Sequence, residues 1–179
     1  MLKEVKKEIY HLLHPKLTFF LTSSDGERDN VMACAWATPA SDEPAIVIVC
    51  VSKESLTADL IKRGGEFVIN IPSRDLIDKL WICGRYSGRE INKFEKAGLK
   101  KINSKKVRPP SIEGSIGIME CKLANTVDAG ECYAFFGEVV YACADQKFFK
   151  RGSWTEQAAV PMHLSGKTMV FFTAKTPLF

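Results

Sequence analysis

Apolar residues along the chain fall mainly into short runs separated by turn residues, which is the pattern of a mostly β protein. A continuous run rich in β-branched residues covers residues 45–52 and predicts a strand that is buried on both faces. Residues 115–127 and 132–144 form two longer β segments, and the turn-forming residues 128–130 between them predict a hairpin.

Shorter apolar segments complete the predicted strands. Residues 17–23 end at the turn signal of residues 24–26, so we expect them to form a hairpin with the segment that begins at Asn30. Residues 66–72 predict another strand, and residues 169–174 predict the last one. These segments bring the expected number of strands to six or seven.

Helical spacing occurs at a few places between these strands. Residues 3–13 alternate charged and apolar residues at helical spacing and predict a short N-terminal helix. Ser55 is a suitable N-cap for a second helix, which the glycines at residues 64–65 end. A third helix is expected at residues 73–81, followed by a glycine-punctuated loop and a helical turn that ends at Gly98.

The chain has 179 residues, of which 46% are hydrophobic and 26% are charged, so it is long enough for one domain with a sizeable core. The strand-rich pattern predicts a fold that is mainly β with inserted helices, arranged as a β-barrel with helical decoration. We therefore expect a single domain over residues 1–179.

The net charge of +4 adds little to this picture. One basic run occurs at residues 100–108, but a nucleic-acid surface needs a denser stripe with aromatic residues between the charges, so a solvated loop is favoured. No apolar run approaches the ~18 residues of a membrane span, and the N-terminus lacks the apolar core of a signal peptide. The six cysteines include no C-x-x-C pair, which argues against zinc and a disulfide framework and makes the cytoplasm the expected location.

One polar cluster stands where a predicted strand runs into a helix. Ser52, Ser55 and Thr57 would place hydroxyl groups beside the free N–H groups and the dipole of a helix N-terminus, which attract an anion. Simple helix capping explains the same three residues and is the more common arrangement.

A second polar cluster lies in the glycine-punctuated loop. Gly84 and Gly88 let the backbone approach a ligand closely, and Arg85 is able to grip a phosphate with two hydrogen bonds. Ser87 and Lys93 follow in the same stretch. A solvated surface loop explains these residues equally well.

His163, near Lys167, is a third candidate, but a lone histidine without a located partner is more often structural than catalytic. The sequence contains no nucleophile elbow, metal-ligand spacing, P-loop or G-x-G-x-x-G motif. Serine hydrolases, metalloenzymes and Rossmann dehydrogenases therefore lack their motifs here, and no catalytic or metal-binding residue is predicted.

Residues 30–44, NVMACAWATPASDEP, carry small side chains where an ordinary buried strand carries branched aliphatic ones. With this segment, N-V-M-x-x-x-W-x-x-P-x-S-x-x-P, the chain contains in order S-L-T-A-D-L-I, G-E-F-V-I-N-I-P, C-G-x-x-S-G-R-E-I-N-K-F, A-F-F-G-E-V-V and P-M-H-L-S-G-K. In this order the six pieces resemble the flavin reductase-like, FMN-binding split-barrel family, and the resemblance covers roughly residues 17–172.

The resemblance implies that residues 30–38 line an FMN site, where small side chains let the flat ring lie against the backbone, although tight packing in a small barrel also selects alanines. The ring contacts implied in this way are Asn30, Met32, Ala33, Cys34, Ala35, Trp36, Ala37 and Thr38. The implied contacts of the ribityl chain and phosphate are Ser52, Ser55, Thr57, Gly84, Arg85 and Ser87. Lys93 matches a K-F pair of the family and is a candidate for the phosphate, and His163 matches a late position near the flavin.

The resemblance also implies a function, an FMN-dependent oxidoreductase that receives a hydride from NADH or NADPH and passes electrons to free flavin, ferric iron or a partner. A homodimer is implied as well, because family members build the site across a two-fold interface. Two departures stand out: Ala33 and Ala35 replace Thr and Ser, and Glu131 and Cys132 stand where relatives often carry Asp and His. The second departure favours the alternative of a non-enzymatic FMN-binding electron carrier or flavin store. A relative that binds pyridoxine 5′-phosphate or haem fits the C-G-x-x-S-G-R segment less well.

Overall fold

The computed structural model describes residues 2–166 and 168–172 and is mostly β with few helices, as predicted. The strands are β1 Lys16–Leu17, β2 Phe19–Ser24, β3 Asp29–Cys34, β4 Ala37–Ser41, β5 Ile46–Ser52, β6 Glu66–Pro72, β7 Lys101–Ile102, β8 Ser111–Ile112, β9 Ser115–Ala129, β10 Cys132–Ala144, β11 Phe149–Lys150, β12 Ser153–Trp154, β13 Val160–Ser165 and β14 Thr168–Phe172. The helices are α1 Leu56–Gly64, α2 Ile77–Arg85 and α3 Lys93–Lys96, with 3-10 turns at Ile9–Leu13, Arg74–Leu76 and Glu156–Ala158.

Seven strands form the main sheet, in the order β3-β2-β6-β9-β10-β5-β4. Its edge strands β3 and β4 are joined by only Ala35 and Trp36. A flat sheet of seven strands would hold its edges roughly 29 Å apart, whereas this link spans at most roughly 11 Å from Cys34 to Ala37. The sheet is therefore rolled until its two edges meet at Ala35 and Trp36, a junction that we call the seam.

The predicted hairpins are confirmed by the strand pairing. β2 pairs antiparallel with β3, and β9 pairs antiparallel with β10 along almost their whole lengths. The single predicted segment of residues 30–44 is divided by the seam into β3 and β4, and Cys50 of β5 donates its N–H to the Trp36 carbonyl at 2.8 Å. A small three-stranded sheet, β1-β13-β14, lies beside the main one.

Hydrophobic side chains lie in two layers on either side of β2. Phe19 and Leu21 point into the rolled sheet, whereas Phe20 packs outward with Leu80 of α2 and Phe94 of α3. β2 is thus buried on both faces, and so is β6 from Phe67 to Pro72. The prediction of double burial for residues 45–52 is wrong, because β5 alternates buried Val47, Val49 and Val51 with half-buried residues.

One of the predicted helices forms where its sequence signals place it, and the N-terminal one does not. α1 begins where Ser55 Oγ accepts the Ala58 N–H at 3.1 Å, and it ends at Gly65, whose φ of 69° suits glycine. The N-terminal helix predicted at residues 3–13 is reduced to the 3-10 turn Ile9–Leu13, which buries no residue. An amphipathic segment that buries no residue gains too little from packing to stabilise a helix.

The third predicted helix is longer than its sequence pattern indicated. It starts as a 3-10 turn after Ser73 and continues as α2 to Arg85, so that Gly84 and Arg85 lie in its last turn rather than in a loop. Of the predicted last strand, residues 169–172 are confirmed, and residues 173 and 174 lie outside the described residues, as does Lys167. Within the described part of the chain, no helix is long and apolar enough to cross a membrane.

Candidate functional site

A cleft of about 920 Å³ opens between the seam and the C-terminal half of α2. One wall is built from the end of β3 and the seam, the other from the last two turns of α2, and His163 and Met169 from the small sheet close a third side. Its lining residues are Thr18, Ala33, Cys34, Ala35, Trp36, Leu80, Trp81, Ile82, Gly84, Arg85, Tyr86, His163 and Met169. The cleft is mainly apolar and is the right size for a small-molecule site.

A smaller polar pocket of about 150 Å³ adjoins the cleft, and the two share Ala33, Gly84 and Tyr86. The other residues around this pocket are Asn30, Met32, Ser55, Leu56, Thr57, Cys83, Ser87, Gly88 and Lys93. An apolar cleft that runs into a polar pocket suits a ligand with a flat ring at one end and a charged group at the other.

The N-terminus of α1 faces the polar pocket. The N–H groups of Leu56 and Thr57 belong to the first turn, where helix geometry provides no acceptor within the helix. Asn30 Nδ2 donates to Thr57 Oγ1 at 2.8 Å, and both residues are buried, which leaves the hydroxyl proton of Thr57 free to donate. This end of the pocket therefore offers several donors to an anion.

Lys93 places a buried ammonium group at the same pocket. The residue is 5% exposed, and its Nζ donates to the Cys83 carbonyl at 3.1 Å. Burial lowers the pKa of Lys93 to about 8, and the nearby Cys83 thiol opposes this shift. An ammonium group has three donors, so Lys93 keeps hydrogen-bonding capacity for a ligand anion.

Small residues keep the junction between cleft and pocket open. A Cβ atom added at Gly84 would lie 3.3 Å from the Cβ of Ala33, so a larger side chain at either position would narrow the passage. Gly88 packs so closely on the Asn30 side chain that a Cβ there would overlap Asn30 Oδ1. These glycines and the alanines of β3 and the seam fit a flat ring laid against the backbone, which is the shape of a flavin.

The thiols near the site are not nucleophiles. Cys34 lines the cleft, and burial raises its pKa to about 12. Burial likewise raises the pKa of Cys83 to about 11. Both thiols are therefore protonated at neutral pH, and the cleft contains no activated cysteine.

The structure brings most of the predicted site residues together around the cleft and the pocket. Those that line one or both are Asn30, Met32, Ala33, Cys34, Ala35, Trp36, Ser55, Thr57, Gly84, Arg85, Ser87, Lys93 and His163. Ala37, Thr38 and Ser52 line neither. Ala37 packs on the core, Thr38 is exposed, and the Ser52 carbonyl accepts the Ser55 hydroxyl at 2.8 Å in the turn before α1.

Two placements differ from the sequence interpretation. Ser55 lines the polar pocket, but its hydroxyl also caps α1, so the capping alternative holds for this residue. Arg85, expected beside the phosphate, lines the large cleft and not the polar pocket. The reason is the extension of α2, which carries Arg85 on its last turn toward the wide side of the junction.

Sequence reasoning missed the aromatic residues of the cleft. Trp81 and Tyr86 flank Gly84, and both side chains are more than a third exposed. The N-terminal segment supports the opposite rim, where the Tyr10 ring meets Trp36 edge-on at 5.2 Å and the His14 ring meets His163 at 5.1 Å. Large aromatic residues beside a glycine in a polar stretch were the available signal.

Comparisons with known proteins identify a family and a fold for this chain. The family model for the flavin reductase like domain matches residues 12–163. An uncharacterised protein of Pyrococcus abyssi is 33% identical over 168 residues, which cover 94% of this chain and 96% of the relative.

Two solved structures share the fold. The flavoredoxin of Methanosarcina acetivorans superposes with a TM-score of 0.84 at 21% identity, covering 100% of this chain and 94% of that one. An FMN-binding protein from Thermus thermophilus, with bound 1-cyclohex-2-enone, gives a TM-score of 0.86 at 19% identity, covering 98% and 96%. The predicted fold class, mainly β with inserted helices as in the FMN-binding split barrels, is confirmed.

Proposed function

The chain belongs to the family of flavin reductase-like domains, and from this premise we propose that it is an oxidoreductase that holds FMN and takes electrons from NADH or NADPH. Family membership supports a flavin cofactor and an oxidoreductase. The choice of FMN and of a nicotinamide donor is our proposal.

One observation carries the choice of FMN: the apolar cleft with its wall of small residues continues into a polar pocket that contains a buried ammonium group. FMN has a flat ring system at one end and a single phosphate at the other. Ala33, Ala35 and Gly84 would lie along the ring, and Thr57, Ser87 and Lys93 would hold the phosphate. The α1 N-terminus adds its N–H groups and its dipole to the phosphate site.

The residues of the site bind and orient, and no side chain is needed as an acid or a base. When bound, the flavin would supply the redox chemistry, which is hydride transfer from reduced nicotinamide and onward electron transfer to an acceptor. Lys93 neutralises part of the phosphate charge in a buried setting, where the interaction is stronger than in water. The apolar residues Leu80, Ile82 and Met169 line the cleft and would shield a bound ring from water.

The direct test is to reconstitute the protein with flavin and to mix it anaerobically with NADH and, separately, with NADPH. Bleaching of the flavin absorption within the mixing experiment supports the reductase. We also expect the protein as purified to release FMN rather than FAD on denaturation. Only FAD in the released fraction, or no flavin after reconstitution, would contradict the choice of cofactor.

A non-enzymatic FMN-binding electron carrier is the second candidate, and one observation favours it. Cys132 stands where relatives often carry a histidine beside the flavin, and neither Cys132 nor Glu131 lines the cleft. Burial also raises the pKa of the Cys132 thiol. Flavin that stays oxidised with both nicotinamides but is reduced by dithionite, and then reoxidised by an external acceptor, would identify the carrier.

A further inference from the structure

We propose that the cleft contains a second subsite, for a small planar anion of the aromatic carboxylate class, held by Arg85 and by the rings of Trp36, Trp81 and Tyr86. This inference rests on the proposed function, because it assumes that flavin occupies the part of the cleft next to Ala33 and Gly84.

The first observation is space. At about 920 Å³ the cleft is near the upper end of the ~300–1,000 Å³ range of small-molecule sites, and the polar pocket is additional to it. A single tricyclic ring that lies against β3 would fill only part of this volume. The part of the cleft beside the aromatic side chains would remain free for another molecule.

The second observation is the position of three aromatic rings around that remaining space. Trp36, Trp81 and Tyr86 are 36%, 37% and 37% exposed, and each lines the cleft. Trp36 comes from the seam, while Trp81 and Tyr86 come from the end of α2, so the rings stand on two facing walls. Half-exposed aromatic side chains on both sides of a gap are suited to bind a planar ring by stacking or edge contacts.

The third observation is the charge of the cleft. Among the described residues that line the cleft, Arg85 is the one with a fixed charge, and none is Asp or Glu. Among the residues that the structure describes, none forms a hydrogen bond or ion pair with the Arg85 guanidinium. Arg89, four residues later, is engaged instead, with Asp59 Oδ2 at 2.6 Å and the Glu54 carbonyl at 3.0 Å.

These observations together define the ligand class. A guanidinium group has the planar fork that pairs with a carboxylate through two parallel hydrogen bonds. An uncharged planar ligand would leave the Arg85 guanidinium without an anionic partner, and the single phosphate of FMN already has Lys93 and the α1 N-terminus. A flat ring with one carboxylate satisfies both the aromatic walls and Arg85.

The test uses the protein loaded with FMN and two probes of the same shape, benzoate and benzamide, which differ in charge. Binding is followed by the perturbation of the visible flavin absorption, so the readout does not depend on turnover. The variants are Arg85→Gln, Arg85→Lys and, as a control, Arg151→Gln, which changes an exposed arginine in a turn outside the cleft. FMN and riboflavin affinities are measured for every variant first.

We expect benzoate to bind wild type and Arg151→Gln alike, and more tightly than benzamide. Arg85→Gln should weaken benzoate roughly ten- to hundred-fold, as expected for hydrogen bonds to a charged group, with Arg85→Lys in between and benzamide unchanged. The FMN and riboflavin affinities should stay the same, which also shows that the variants fold.

Equal binding of the two probes to wild type, or benzoate binding that does not respond to Arg85→Gln, would overturn the inference. Weaker FMN with unchanged riboflavin in Arg85→Gln would assign Arg85 to the cofactor phosphate instead. ADP-ribose, which carries the diphosphate of a nicotinamide dinucleotide, is a third probe. If Arg85→Gln weakens the binding of ADP-ribose but not that of benzoate, Arg85 belongs to the dinucleotide site instead. Failure of wild type to bind any flavin would overturn the proposed function itself, which separates the two outcomes.

Discussion

At the scale of single residues, Lys93 is the clearest link between burial and binding. The charged form of a buried lysine is disfavoured unless an anion or several acceptors compensate it. Its one described hydrogen bond, to the Cys83 carbonyl, compensates it only in part, and its pKa stays low at about 8. A phosphate in the polar pocket would supply the missing partner.

Replacement of this residue is the first prediction. Lys93→Met removes the ammonium group and keeps an unbranched side chain of similar length. We expect FMN to bind roughly ten- to hundred-fold more weakly, while riboflavin, which lacks the phosphate, binds as in wild type. Fluorescence titration with both flavins measures this.

Lys100→Met is the matched control, because Lys100 is an exposed lysine paired with Glu113 at the surface. The free energy of unfolding of the flavin-free Lys93→Met variant should not fall below that of wild type. The substitution removes a buried charge that lacks a full set of partners, and such a charge destabilises the folded state. A parallel loss of FMN and riboflavin affinity would show that Lys93 only packs.

The lowered pKa predicts a pH dependence. Lys93 is charged up to about pH 8 in the folded chain and up to its ordinary value of 10.5 in the unfolded chain, so the unfolded chain binds more protons between these values. The free energy of unfolding of the flavin-free protein should therefore rise with pH in this window.

FMN binding should change in the opposite direction. A bound phosphate favours the charged lysine, so above pH 8 the protein must take up a proton to bind FMN. The affinity for FMN should be flat just below pH 8 and fall by up to about tenfold per pH unit above it. Titration of wild type with riboflavin, or of Lys93→Met with FMN, gives the reference. If the ratio of the FMN and riboflavin affinities does not change near pH 8, Lys93 does not bind the phosphate.

The sequence identified both Lys93 and Arg85 as candidates, but it did not predict how either residue is placed in the site. Lys93 was recognisable as a candidate from its place in a K-F pair, but its burial depends on how α2 and α3 pack on β3, which no local pattern records. Arg85 was assigned to the phosphate because a guanidinium group is able to form two hydrogen bonds with it, and because the resemblance implies a phosphate contact in the loop expected after Gly84. That glycine proved to be helical, and the arginine faces the cleft.

At the scale of elements, the seam explains why residues 30–44 carry so many small side chains. β3 and β4 are the two edges of the rolled sheet, and the link of Ala35 and Trp36 between them is also a wall of the cleft. Ala33 lines both the cleft and the polar pocket. The small side chains of this segment therefore leave room in the candidate ligand site, in addition to allowing close packing of the strands.

A wider side chain on β3 is the element-scale prediction. Ala33→Val adds two methyl groups at the junction, where the strand itself favours a β-branched residue. We expect FMN and riboflavin to lose affinity equally, by about tenfold, because the ring rather than the phosphate is displaced. Both affinities come from the same titration as above.

Ala40→Val is the control for this change, since Ala40 is an exposed residue of β4 on the other side of the seam. It should leave both flavins unaffected. Unchanged flavin affinity in Ala33→Val would mean that the ring lies elsewhere in the cleft.

Elements with strong local signals were predictable, and those that depend on packing were not. α1 has a capping serine, an apolar stripe and a terminal glycine pair, and it forms as expected. The segment at residues 3–13 has helical spacing but makes few contacts that would stabilise a helix. Only its residues Ile9–Leu13 form a 3-10 turn. The division of residues 30–44 into two strands follows from the rolling of the sheet, which needs all seven strands to be specified.

At the scale of the whole molecule, we expect a homodimer. The apolar strand at residues 45–52 has no free edge for a partner, because it lies inside the sheet between β10 and β4. Exposed apolar residues occur instead in the N-terminal segment, among them Leu2, Ile9, Leu12 and Leu13. Large exposed apolar groups of this kind mark an interaction surface, and closed two-fold symmetry is the commonest arrangement.

Light scattering at micromolar concentration checks the oligomeric state. The expected mass is twice that of the 20.0 kDa chain. A flavin-loaded species with the mass of one chain would contradict the dimer without affecting the ring and phosphate sites.

We propose that the cleft and the polar pocket together bind one molecule of FMN, with its ring in the cleft and its phosphate beside Lys93. The most direct measurement is the equilibrium affinity of the wild-type protein for FMN and for riboflavin, under identical conditions at neutral pH. We expect both flavins to bind, and FMN to bind at least about tenfold more tightly, because hydrogen bonds to a charged group contribute roughly 1.5–3 kcal/mol. Equal affinities would rule out the phosphate site, and the absence of binding by either flavin would rule out a flavin site in this cleft altogether.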